Sequence, residues 1–183
     1  MGLKREDWID AAYRMLYRQG VDGVRVEVLA RWLGVTTGSF YHLFENREAL
    51  LESMIRNWEE ETEQLFSGIP EGLSGLDRVR LILQRLGEIS HGIPDAAFSA
   101  WSLRDTAVAK RVAAVEQKRL DFLIEACIDR GIGRANAERI ATILYLAFCG
   151  WVMREGVADK IAPRFDVFTR WSIDLFEEAT EAR

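Results

Sequence analysis

The sequence predicts an all-α protein, with a three-helix N-terminal domain joined to a larger helical domain. Three observations carry this. Apolar residues recur at helical spacing along nearly the whole chain, and no stretch alternates apolar and polar residues as a strand would. Only three prolines interrupt the pattern, Pro70, Pro94 and Pro163. The composition, 49% hydrophobic and 29% charged over 183 residues, is that of a globular chain long enough for one or two cores.

Each element follows from its own residues. Trp8, Ile9, Ala12 and Leu16 mark one face of a first helix that stops near Gly20. Val26, Leu29, Ala30 and Leu33 mark a short second helix, stopped by Gly34. Thr36 can cap a third through about Leu43. Asn46 can cap a long fourth, whose apolar face is Leu50, Leu51, Met54, Ile55, Trp58 and Leu65. "SGIPEGLSG", residues 67–75, is the clearest break. Further helices are expected at about 76–90, 94–104, 105–131 and 135–156, and a last one from Pro163. The run "ATILYLAFCGWV" is apolar nearly all round, so residues 140–153 are expected to meet a second subunit as well as their own core. The domain division is placed at 1–48 and 49–183.

Composition bounds the partners. No apolar run approaches the roughly 20 residues that span a bilayer, and the N-terminus lacks the apolar core of a signal peptide. Two cysteines, Cys127 and Cys149, sit in helical stretches. Together these point to a cytoplasmic, reducing compartment with no membrane partner. Net charge is −5. Residues 1–48 hold seven Lys/Arg and seven Asp/Glu, so the acidic excess lies in the remainder.

The most informative stretch is "VEVLARWLGVTTGSFYHLF". A helix, a tight Gly-Val turn and a second helix form a helix-turn-helix, whose second helix enters the major groove N-terminus first. Thr36, Thr37, Gly38 and Ser39 are small, letting backbone approach base edges and phosphates. Phe40 and Phe44, four residues apart, are expected to point into the core with Ile9, Leu16 and Leu33. Tyr41 and His42 face outward, where each can donate to phosphate. The bland alternative is a small helical bundle with a glycine turn.

The wider pattern "GVTTGSFYHLFENREALLESMI" resembles the tetracycline repressor (TetR) family of bacterial transcription regulators. The resemblance rests on Ala30, Gly34-Val35, the Thr36 to Ser39 helix start, Tyr41 with Phe44, and Arg47-Glu48, within about residues 5–55. The other two thirds match only in length and helical character. It implies a homodimeric repressor that reads a palindromic double-stranded operator, with Arg25, Thr36, Thr37, Gly38, Ser39, Tyr41, His42 and Arg47 as DNA-binding residues. It also implies a small-molecule effector pocket and a dimerising helix pair at about 135–156 and 163–181. The fourth helix would transmit between pocket and reading head. Two departures stand out. Val24-Arg25 replaces the threonine usual at the start of helix 2, and Thr37 stands where a lysine is frequent. Arg25 is a candidate compensating phosphate contact.

For the pocket, the candidates are Trp58, Phe98, Trp101, Arg104, Phe122 and Phe148, in a part rich in bulky apolar side chains, with Arg104 as anchor for an acid. The aromatic set implies an apolar or aromatic effector of drug size. The alternative is that Trp101 and Phe98 are core, and that Arg104-Asp105 is a surface pair or helix-start cap. His91 reads as an ordinary residue between helices, and "EEETE", residues 59–63, as a solvated face rather than a metal site. Cys127 and Cys149 read as small buried hydrophobes rather than oxidant sensors. With two histidines and no phosphate loop or nucleophile elbow, no catalytic, metal or cofactor site can be assigned. The rival classes are an enzyme and a helical interaction module without DNA.

Overall fold

The computed structural model describes residues 2–88, 94–154 and 162–181. Among them every extended regular element is helical: α1 Arg5–Gln19, α2 Val26–Leu33, α3 Thr37–Tyr41, α4 Arg47–Phe66, α5 Gly75–Gly87, α6 Asp95–Ser102, α7 Thr106–Ile128, α8 Arg134–Arg154 and α9 Phe165–Glu181. A single 3-10 turn, Val21–Gly23, joins α1 to α2. The all-α expectation holds. α3 is shorter than the sequence suggests, because the chain leaves the helix at His42 and turns toward α4. His91 and residues 155–156 lie outside the described residues.

The chain forms two compact units. The first comprises residues 1–62 and 96–112, the second 63–95 and 113–183. The division therefore falls inside α4, whose first turns pack into the first unit. Leu50, Met54 and Ile55 of α4 are buried in the first unit, and the Tyr13 hydroxyl donates to the Met54 carbonyl at 2.7 Å. The Trp58 ring stacks on Phe98 of α6 with centroids 4.6 Å apart. Arg111 of α7 grips Glu59 through two nitrogens, at 2.7 and 2.6 Å, and Glu52 through a third at 2.7 Å. Such a two-pronged guanidinium–carboxylate contact fixes orientation as well as distance. Much of α4, α6 and the first turns of α7 thus finish the core that α1–α3 begin.

In the second unit, Ser74 caps α5 by accepting from the Asp77 amide at 3.2 Å. Leu76 and Val79 of α5 pack with Ile124, Ala126 and Cys127 of α7, Ala137 and Ala141 of α8, and Phe176 of α9. Gly75 is required here. A Cβ at that position would lie 2.1 Å from the Ala126 carbonyl oxygen, so only glycine lets α5 start against the end of α7.

Candidate nucleic-acid interface and apolar cavity

The reading head is built from α1 outward. Trp8, Ala12 and Leu16 are fully or almost fully buried, as the helical spacing requires, and Trp8 meets Phe40 edge-on at 5.2 Å. Phe40 also stacks on Phe44 at 5.2 Å. Both phenylalanines are buried, so the short α3 is held from beneath by its aromatic residues. Gly34 ends α2 at φ 69°, a left-handed conformation costly to other residues, and Val35 donates back to the Ala30 carbonyl at 2.9 Å. This tight turn sets α3 at an angle to α2.

What remains outside is the predicted contact set. Thr36, Gly38, His42 and Arg25 are exposed, Thr37 and Ser39 half-buried, and Tyr41 is 59% exposed. Thr36 sits at the N-cap position of α3 without a side-chain capping bond, and Arg25 occupies the same position before α2. Seven of the eight predicted residues therefore lie along α3 and the start of α2.

Arg47 does not share that outward face. Its Nε donates to the Val24 carbonyl and its Nη2 to the Val21 carbonyl, each at 2.6 Å. The guanidinium closes the 3-10 turn instead of standing clear at the start of α4. Position at a helix N-terminus suggested a phosphate contact, but the chain's own carbonyls reach the cation first. Arg5, absent from the sequence-based set, has the matching role on the other side. It donates to the Leu43 carbonyl and to Ser53 Oγ, both at 2.6 Å, and lies 4.1 Å over the Phe44 ring. It ties the end of α3 to α4. No local pattern reveals this, since the partners are 38 and 48 residues away.

The second unit holds an apolar cavity of about 90 Å³. Phe66, Ile82, Leu83, Phe122, Phe148 and Phe168 supply much of its wall, and Arg119, Tyr145 and Ser172 its polar points. Of the six predicted pocket residues, Phe122 and Phe148 line it. Trp58, Phe98 and Trp101 do not: they stack in series as core of the first unit, with centroids 4.6 and 6.1 Å apart. Arg104 is 70% exposed and pairs with Asp22 at 2.8 Å, while Asp105 caps α7 through the Ala107 and Val108 amides. The volume is also well below the roughly 300–1,000 Å³ of a drug-sized site.

Arg119 is the charged residue that sequence reasoning missed. It is buried and paired with Asp95. Burial, the largest effect, works against its charge, but Asp95 and Tyr145 outweigh it and hold the guanidinium above its ordinary pKa. Burial pushes the Tyr145 phenol up, so it stays neutral. Burial likewise raises both thiols, Cys127 to about 11, which suits inert packing. Among the described residues no cluster of three or more His, Cys, Asp or Glu could hold a metal, and no helix is long and apolar enough to cross a membrane.

A three-helix head that exposes the outer face of α3, followed by a helical unit with an apolar cavity, is a helix-turn-helix arrangement. Residues 9–54 match the profile described as bacterial regulatory proteins, tetR family. The HTH-type transcriptional repressor KstR2 of Rhodococcus jostii (strain RHA1) is 28% identical over 123 residues, 67% of this chain. The match spans only 57% of that repressor's length. A transcriptional regulator from Rhodococcus sp. Rha1 superposes with a TM-score of 0.75 at 16% identity, covering 98% of this chain and 97% of its own. The fatty acid degradation regulator FadR from Bacillus halodurans superposes at 0.65 and 18% identity, covering 100% and 97%. The match to that family covers residues 9–54, and over the rest of the chain the likeness is one of fold.

Proposed function

We propose that the chain is a homodimeric, cytoplasmic transcription repressor that binds a palindromic operator and leaves it when a small apolar effector binds. The observation that carries this is the reading head: Thr36, Thr37, Gly38, Ser39, Tyr41 and His42 are presented on a helix clamped from beneath, with Arg25 beside them. These residues contact DNA, with hydroxyls and backbone near base edges and Tyr41, His42 and Arg25 on phosphates. Arg47 supports them from behind.

Pairing is supported by a stripe on α8, Ile143, Leu146 and Met153, each at least 62% exposed, and by Trp171 and Leu175 on α9. Large apolar residues at this exposure and spacing favour a two-fold helix pair as the cover. An effector that prefers one conformation by about 1–3 kcal/mol would lower operator affinity roughly 5- to 150-fold. The test is selection of bound duplexes from a random pool. An inverted repeat with half-site centres about 34–36 Å apart, or a multiple of that spacing, is expected. Selection of nothing, with binding equally weak for all sequences, would leave a helical interaction module as the better description.

A further inference from the structure

We propose that the cavity of the second unit selects an uncharged, ring-sized apolar molecule carrying one hydrogen-bonding oxygen, and rejects carboxylates. This rests on the effector reading above and names the chemical class.

Size comes first. A dry engineered cavity of about 150 Å³ accepts benzene, so 90 Å³ sets one small ring, seated partly in the mouth, as the upper limit and excludes a fused or long-chain ligand. Hydrophobic contact with Phe66, Phe122, Phe148 and Phe168 supplies the attraction.

Charge decides the rest. The cation at the wall, Arg119, is already matched by Asp95, and Tyr145 adds a second favourable interaction with it. Glu116 adds negative charge beside Tyr145 and Cys149. A ligand carboxylate would have to displace Asp95 or sit near it as a second buried anion, and burying an unmatched charge is costly. A ligand cation would meet Arg119. A neutral oxygen avoids both costs. It can accept from the Tyr145 hydroxyl at the wall. A ligand hydroxyl can donate to Ser172, whose own proton goes to the Phe168 carbonyl at 2.9 Å.

The experiment is isothermal titration of the full chain, without DNA, with four probes that share a six-membered ring. These are cyclohexanone, methylcyclohexane, cyclohexanecarboxylate and cyclohexylammonium. Cyclohexanone should bind at least about tenfold more tightly than either ion and measurably more tightly than methylcyclohexane. Asp95→Asn removes one charge at nearly constant shape. It should raise carboxylate affinity relative to cyclohexanone by about tenfold or more, with circular dichroism confirming the fold. If this variant does not fold, the wild-type series still decides. A carboxylate that binds wild type as well as the ketone does would overturn the proposal, as would no binding by any probe at millimolar concentration. Either failure leaves operator selection untouched, so the two readings fall separately.

Discussion

Replacing Arg47 by alanine distinguishes a clamp from a phosphate contact. In the folded chain its guanidinium donates to two carbonyls at 2.6 Å, one of them on Val24, which is fully buried. Hydrogen bonds from a charged donor contribute about 1.5–3 kcal/mol each. The side chain is 31% exposed, so water can partly replace it, and its 3.8 Å pair with Glu48 adds little. A net loss of about 2–4 kcal/mol follows, and at about 2–4 °C per kcal/mol for a chain of this size Tm should fall by roughly 4–16 °C. Arg47→Lys should recover less than half of this, because an ammonium cannot span both carbonyls as the fork does. The assay is thermal unfolding by circular dichroism, beside fluorescence anisotropy of a labelled operator across a salt series. The clamp predicts a lower Tm with an unchanged salt slope once the protein is folded. An unchanged Tm with a slope reduced by about 0.9 per head would mean that Arg47 holds a phosphate, and would refute the reasoning.

Three further outcomes are expected. Arg5→Ala should weaken operator binding without shifting base preference, since it frees the Leu43 end of α3 and touches no outward residue; a changed preference in a repeated selection would count against this. Thr37→Ala or Ser39→Ala should alter preference at one base position by about 1–3 kcal/mol, whereas Tyr41→Phe should weaken all sequences alike, as competition binding would report. Leu146→Arg should yield a folded monomer in sedimentation, because an exposed site tolerates charge within one chain but not across a two-fold apolar contact; a persistent dimer would place the pairing surface elsewhere.

The parts of the fold legible in the sequence are those set by local spacing. Trp8, Ile9, Ala12 and Leu16 repeat at helical period on one buried face, and Asn46 caps α4 by accepting from the Ala49 amide at 2.8 Å. The turn at Gly34 is equally local. The cavity is not, because an aromatic ring in a core and one lining a pocket have the same residue type and the same period. Trp58, Phe98 and Trp101 differ from Phe122 and Phe148 only in which helix each one meets. Arginine partners are worse still. Arg104 adjoins Asp105 in sequence but pairs with Asp22, 82 residues away, and Arg119 finds Asp95, 24 residues back. Tertiary register decides such pairs, and no single-chain periodicity encodes it.

That register also sets how the proposed reading head would hold DNA. Of the seven Lys and Arg in residues 1–48, Arg5 and Arg47 are turned inward onto backbone carbonyls. The five others, Lys4, Arg14, Arg18, Arg25 and Arg31, are exposed. If every one met a phosphate, the affinity of one head would fall with salt at a slope of about −4.5 on logarithmic axes, and those of a dimer at about −9. These are ceilings, because Arg18 already lies 5.2 Å over the Trp32 ring. The head is otherwise balanced by seven carboxylates, so long-range attraction adds little beyond these contacts. Discrimination must then come mainly from short-range hydroxyl and backbone contacts at Thr36 to Ser39. Specific binding should persist to higher salt than in a head with a lysine at position 37. Restoring that charge with Thr37→Lys should steepen the slope by about 0.9 per head, while affinity for non-cognate duplexes rises at least as much as affinity for the operator. An unchanged slope in Thr37→Lys would mean that residue 37 does not face the phosphate backbone at all.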